Sequence, residues 1–156
     1  MIPQLEGIDS ALGFAHRRFT YGFAQVPEER LNWSPGGSAH TPLALAGRVV
    51  RFIGFIGAAL GGRAMPTPPA GGFPAGPDTR AAALEAIDGA FERLHAALDS
   101  LTEADLAVTM RAPWGQDMTI AEWTAFVNQV IGYLQGQMNL VQLAYGDEEP
   151  HIPPFD

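Results

Sequence analysis

Hydrophobic residues recur at steps of three and four along four segments of the chain, a spacing that places them on one face of a helix. The second segment is apolar on nearly every side except at Arg48 and Arg51, as is typical of a buried helix. The pattern therefore predicts four helices that share one core. They span residues 4–24, 42–60, 80–100 and 120–145.

Capping residues mark where three of these helices begin. Thr41 is placed to cap the second helix, and Asp78 or Thr79 is placed to cap the third. Thr119 and Glu122 have the spacing of a capping box, in which each side chain bonds the backbone N–H of the other residue. The fourth helix therefore has the clearest predicted start.

The segments between the helices complete the predicted fold. Ten of the seventeen residues in 61–77 are glycine or proline, which predicts a long connection. We interpret it as a crossover to a more distant helix. Residues 102–105 predict a single helical turn and residues 107–118 an extended or hairpin-like excursion. The expected fold is an all-α, up-down-type four-helix bundle over residues 1–146, with an acidic, proline-rich tail at 147–156.

The length of 156 residues fits one domain with its own core, and a hydrophobic fraction of 47% is ordinary for a globular protein. The longest apolar stretch, residues 49–60, is shorter than the roughly 20 residues that cross a bilayer. No basic and then apolar secretory signal stands at the N-terminus. We therefore expect a cytoplasmic protein that does not interact with a membrane.

The charged residues exclude several kinds of chemistry. Nine Arg and no Lys stand against 17 Asp and Glu, a formal net charge of −8, and the chain has no Cys. A Schiff-base lysine, a P-loop lysine, a thiolate nucleophile and an iron–sulfur cluster are therefore excluded. An acidic chain without a basic patch is also not expected to bind nucleic acid.

Two stretches of sequence resemble one family. Residues 31–35, Leu-Asn-Trp-Ser-Pro, lead into the second helix. Residues 133–139 contain the pair Gly136-Gln137, followed by Met138 and Asn139, and a second pair, Gly146-Asp147, comes after the fourth helix. They resemble motifs of the DinB-like (DinB/YfiT) superfamily of four-helix bundles. The resemblance implies a nickel or zinc ion held by three His, one on the second helix and two on the fourth.

The positions that correspond to those three histidines carry Arg48, Val130 and Leu134, with Gly47 as the alternative to Arg48 if the alignment shifts by one residue. None of these side chains ligates a metal, whereas first-row metals need several converging N, O or S donors. The four histidines of the chain do not restore such a set, because no two have ligand spacing on one helix: His16, His40, His95 and His151. We therefore expect no metal cofactor.

Arg48 is the most informative of the candidate site residues. Its permanent charge and five donors suit a carboxylate or phosphate of a small ligand, with Gln137 and Asn128 orienting it and Trp33 beside the pocket. Alternatively, Arg48 reaches solvent or pairs with an internal acid such as Glu122. The other eight arginines are predicted to be surface charges.

Two further pairs of residues each have two possible interpretations. Trp114 and Trp123 either line a pocket or belong to the core or an interface. Gly132 and Gly136 lower the helix propensity of the fourth helix, and they mark either a close approach of neighbouring helices or room for a ligand.

These observations lead to two functional expectations. The first is a metal-free, DinB-like homodimer that binds a small, anionic molecule or a protein partner, or has a structural role, without the metal chemistry of the family; this interpretation favours a protein that is not an enzyme over an enzyme. Ile131, Leu140 and Leu143 are expected on the outer, dimer-forming face of the fourth helix. The alternative is a metal- or thiol-dependent enzyme of the transferase or hydrolase type, as the resemblance implies for other members of the superfamily.

Overall fold

A computed structural model describes residues 1–67, 70 and 75–154 of the chain. It confirms the predicted mostly helical fold, with a four-helix bundle and one small hairpin. The helices are α1 (Pro3–Ala24), α2 (Pro42–Gly62), α3 (Arg80–Asp99) and α4 (Ile120–Ala144), and the strands are β1 (Thr109–Arg111) and β2 (Asp117–Thr119). Two short 3-10 turns, Glu28–Arg30 and Asp105–Ala107, precede α2 and β1.

The predicted caps are present at the starts of three helices. Thr41 accepts a hydrogen bond from the backbone N–H of Ala44, and Thr79, rather than Asp78, caps α3 in the same way. Thr119 and Glu122 form the full capping box. Local side-chain chemistry therefore fixes these helix starts.

The four helices form a ring in which α3 and α4 each contact both α1 and α2. α1 and α3 are antiparallel, because His16 meets Asp88 while His95 meets Asp9. α1 and α4 are parallel, since Gln142 near the end of α4 donates to the carbonyl of Gly22 near the end of α1.

The long connection is a crossover, but it does not lead to a more distant helix. α2 and α3 pack along each other in parallel, with Gly57 of α2 against the backbone of Leu94 and Gly61 against Ala97. A connection between parallel neighbours has to return along the whole length of the pair. Residues 68–69 and 71–74 of this segment lie outside the described residues.

The predicted excursion after α3 is a short antiparallel hairpin. Met110 of β1 pairs with Met118 of β2, and both side chains face the core. The turn between the strands contains Gly115 at a φ of 92°, a conformation that favours glycine. This turn holds Trp114 at the surface beside the start of α4, where Trp114 is 56% exposed.

α2 is the most apolar helix of the bundle. By length and composition alone it is able to cross a membrane, because its apolar character extends beyond residues 49–60. In this fold, 56% of its most apolar window is buried between the other helices, as is typical of the core helix of a soluble protein. The structure therefore has a soluble-type fold.

Candidate functional site

The main candidate site is a cavity of about 380 Å³ between α2, α4 and the hairpin turn. Its wall is largely aromatic and aliphatic, with two arginine side chains from α2. We call it the arginine cavity; its main lining residues are Arg48, Arg51, Phe52, Phe55, Trp114 and Trp123.

Neither arginine of this cavity has a counter-ion among the described residues. Arg48 and Arg51 are half-buried, and neither forms an ion pair or hydrogen bond with another residue in the described part of the chain. Glu122 does not neutralise Arg48, because it accepts hydrogen bonds from the backbone and hydroxyl of Thr119, which lower the pKa of Glu122. The cavity is therefore lined by two arginines and by no acidic residue of the described chain, in a protein whose formal net charge is −8.

The aromatic wall depends on the hairpin. The ring of Trp114 lies 5.5 Å from that of Trp123 and 5.6 Å from that of Phe126, measured between ring centroids. Phe126 in turn meets Phe52 of α2 edge-on at 6.1 Å. Trp123 is 1% exposed, and its indole N–H is buried without a hydrogen-bond partner in the described structure. Trp123 thus belongs to both the core and the pocket wall, while Trp114 covers the cavity from outside.

Arg48 also borders a second, more polar opening on the other side of its side chain. This groove of about 700 Å³ lies between the loop before α2 and the outer half of α4. Its polar residues are Ser38, His40, Tyr133 and Gln137, and we call it the polar groove. Two of the predicted pocket residues, Arg48 and Gln137, therefore line the same groove.

The other two predicted pocket residues lie elsewhere. Asn128 borders a separate cavity between α1 and α4, and Arg48 does not line that cavity. Trp33 packs edge-on against Tyr145 at 5.8 Å, with the guanidinium of Arg30 over both rings. Asn128 and Trp33 are thus separated from the arginine cavity.

The residues at the three positions that the resemblance aligns with metal ligands do not fit a metal. Arg48 is cationic, Val130 is a half-buried aliphatic residue and Leu134 is 2% exposed in the core. In the described ranges, no three His, Cys, Asp or Glu side chains converge as a metal site would require.

Three of the four histidines pair with carboxylates instead. His16 and His95 each bond an aspartate across the α1–α3 interface, and His151 bonds Asp147 at 2.7 Å. Phe91 stacks on His16 at 4.2 Å and also contacts His95. These pairs hold helices and the tail together, and they lie apart from the arginine cavity.

The comparisons with known proteins agree with the fold. The family model of the DinB superfamily matches residues 11–129, and the chain therefore belongs to the DinB superfamily. The matched range includes Arg48 and the loop before α2, but it ends before Val130 and Leu134. No curated protein matches the chain.

The expectation that eight arginines are surface charges is wrong for several of them. Arg51 lines the arginine cavity, and Arg80 donates to the carbonyls of Ala24 and Val26 at the end of α1. Arg63, by contrast, is a surface residue, and it donates to the carbonyl of Ser100 and to Asp105. The signal for Arg51 was present in the sequence, because it stands one turn from Arg48 on an otherwise apolar helix.

Proposed function

We propose that this member of the DinB superfamily is a cytoplasmic binding protein for a small organic anion and that it works without the metal of its family. One observation carries the proposal: Arg48 and Arg51, neither of which forms an ion pair with a described residue, both line an aromatic cavity. A half-buried, unpaired charge is costly, and a bound anion removes that cost.

The composition of the cavity indicates the chemical class of the ligand. Guanidinium groups bind carboxylates and phosphates through paired N–H donors, so Arg48 and Arg51 would hold the anionic end. Phe52, Trp114 and Trp123 would cover an apolar body. A volume of about 380 Å³ is within the usual range for small-molecule sites. A small carboxylate with an aromatic or aliphatic chain fits this combination best.

Thermal unfolding with and without a small carboxylate tests the proposal. Phenylacetate should raise the melting temperature of the wild type, because a ligand that binds only the folded state stabilises it. The neutral phenylacetamide should raise it much less, and Arg48→Ala should abolish the phenylacetate shift. Arg93→Ala, which removes an exposed arginine of α3, is the matched control. Equal shifts in the wild type and Arg48→Ala would contradict the proposal.

Metal analysis separates this function from the alternative of a metal- or thiol-dependent transferase or hydrolase. In that chemistry a bound cation lowers the pKa of its ligand thiol, whereas here Arg48, Val130 and Leu134 occupy the aligned positions. Protein purified without a histidine tag should contain nickel and zinc well below one equivalent. A stoichiometric metal that survives dialysis would favour the enzyme.

We also infer a homodimer formed through the outer face of α4. Three large hydrophobic residues on this helix are highly exposed: Tyr133 (62%), Leu140 (63%) and Leu143 (57%). A group of exposed hydrophobic side chains is typical of a protein–protein interface. Ile131, which was expected on the same face, is instead buried in the core. Light scattering at micromolar concentration should give twice the chain mass, and Leu140→Glu should give a monomer. A wild-type monomer would contradict the dimer.

A further inference from the structure

A second cavity lies on the other side of α4, between this helix and α1. It has a volume of about 340 Å³, and its polar lining residues are Arg18, Asn128, Gln135 and Asn139. We call it the α1–α4 cavity. It shares no lining residue with the arginine cavity or the polar groove.

Two glycines leave space in the wall of the α1–α4 cavity. Gly132 and Gly136 stand one turn apart on α4, and a Cβ atom added to either would meet no atom within 4 Å. By contrast, a Cβ on Gly57 of α2 would lie 3.4 Å from the backbone of Leu94, so that glycine serves helix packing. Gly132 and Gly136 are exposed, and a side chain at either position would face open space that a ligand is able to reach.

Two buried polar atoms in this cavity lack a partner. Gln135 is only 7% exposed, and its amide nitrogen donates to Asn139 at 2.7 Å, yet its Oε1 accepts no hydrogen bond in the described structure. The Nε of Arg18 is also buried and donates to no described residue. Buried polar atoms are almost always paired, so one unused acceptor and one unused donor at the same cavity need an explanation.

The charge of Arg18 indicates which class of ligand fits the α1–α4 cavity. Arg18 forms no ion pair or hydrogen bond with any residue of the described ranges, and no acidic residue lines the cavity. An anion would neutralise the guanidinium and accept from its Nε, while a separate hydroxyl or N–H would donate to Oε1 of Gln135.

We infer that the α1–α4 cavity is a second ligand site, which takes a small carboxylate that also carries a hydroxyl or N–H donor. Arg18 binds the carboxylate, Gln135 accepts from the donor, and the open space at Gly132 and Gly136 holds the remainder of the molecule. This site is independent of the arginine cavity.

Mandelate is a suitable probe, because it combines a carboxylate, a hydroxyl and a compact apolar ring. Phenylacetate lacks the hydroxyl and mandelamide lacks the charge. Titration calorimetry and amide NMR shifts are measured on the Arg48→Met/Arg51→Met variant, which lacks the cations of the arginine cavity. Mandelate should bind about fivefold more tightly than phenylacetate, the effect of one hydrogen bond. The largest NMR shifts should fall on Arg18, Gln135 and Gly136.

Variants in the same background assign each role. Arg18→Met should weaken mandelate binding about tenfold or more, since it removes a charged hydrogen bond. Gln135→Met should bring the affinity for mandelate down to that for phenylacetate. Gly136→Leu should block binding by filling the cavity, and its matched control is Gly7→Leu on α1, where an added Cβ also meets nothing within 4 Å.

Three results would overturn the inference. The first is no mandelate binding in the Arg48→Met/Arg51→Met background. The second is equal affinity for mandelate in Gly136→Leu and Gly7→Leu. The third is a change in the NMR shifts of Arg18 and Gln135 that depends on the protein concentration and not on the mandelate concentration. Such a change would show that these side chains lie in a contact between two copies of the protein. None of these results bears on phenylacetate binding at Arg48, so failure here is distinct from failure of the proposed function.

Discussion

Arg48 and Arg51 lie one helical turn apart on α2 and line the same cavity, although both carry a positive charge. Like charges three or four residues apart destabilise a helix by about 0.2–0.5 kcal/mol. In the described structure no acidic side chain offsets this repulsion by an ion pair with either residue. The proposed anion would therefore offset the repulsion between Arg48 and Arg51 when it binds.

Removing one of these charges should stabilise the unliganded protein slightly. We expect Arg51→Met to raise the free energy of unfolding by about 0.3 kcal/mol at low ionic strength, relative to Arg93→Met, which removes an exposed charge elsewhere. The gain should shrink in about 150 mM salt, because salt screens the repulsion. Urea unfolding at both salt concentrations measures it. A loss of stability in Arg51→Met at low salt would show that a favourable contact holds Arg51.

Trp114 should contribute to ligand binding more than to folding. Its ring covers the arginine cavity but is 56% exposed, so little of the core depends on it. We expect Trp114→Ala to weaken phenylacetate binding about tenfold, as loss of an aromatic contact does, while the melting temperature changes little. Trp114→Phe should retain most of the affinity. The comparison is Tyr21→Ala, an exposed aromatic residue of α1 that lines neither the arginine cavity nor the polar groove, which should leave the affinity unchanged.

Asp105 should make stability depend on pH in acid. Hydrogen bonds from Arg63, and then from the backbone and hydroxyl of Thr102, hold the pKa of Asp105 far below its usual range. A carboxylate with a lowered pKa in the folded state adds stability above its unfolded pKa of about 3.9, and that stability is lost as the pH falls through the folded value. Asp105→Asn should therefore be less stable than the wild type at pH 7, and the gap should narrow as the pH falls below about 4.

Urea unfolding of both proteins at neutral and acidic pH measures this gap. The control is Asp117→Asn, because Asp117 pairs with Arg111 at 3.3 Å between two exposed side chains and such pairs contribute little. A gap for Asp105→Asn that stays constant with pH would show that its ionised carboxylate does not stabilise the fold.

The start of α4 should be sensitive to loss of its cap. Thr119 accepts from the backbone N–H of Glu122, and Glu122 accepts from the backbone N–H of Thr119. We expect Thr119→Ala to lower the free energy of unfolding by about 1 kcal/mol, and Thr119→Ser to retain most of it. Chemical denaturation compares the two. Equal stabilities of the wild type and Thr119→Ala would mean that the packing of Ile120 and Trp123 alone determines where this helix begins.

Local features of the fold were predictable from the sequence because their causes are local. The caps at Thr41 and Thr119 lie next to the backbone groups they bind, and the apolar period of each helix comes from its own residues. The parallel packing of α2 on α3 was not predictable, since it depends on close contacts such as Gly57 with Leu94, 37 positions apart along the chain.

The candidate site was predictable only in part, for the same reason. Arg48 and Gln137 were predicted together from motif positions, and they do share the polar groove. Arg51, Trp114 and Trp123 meet in the arginine cavity only after α2, α4 and the hairpin have packed. Asn128 was expected to orient a ligand held by Arg48, but the rotation of α4 turns Asn128 toward α1.

The central claim is that Arg48 and Arg51 bind the anionic end of a small organic molecule. Titration calorimetry of phenylacetate and phenylacetamide into the wild type, Arg48→Met/Arg51→Met and Arg93→Met tests it most directly. We expect phenylacetate to bind the wild type and Arg93→Met alike, the double variant to lose at least about tenfold in affinity, and phenylacetamide to bind all three equally weakly. Equal affinity for phenylacetate in the wild type and the double variant would contradict it.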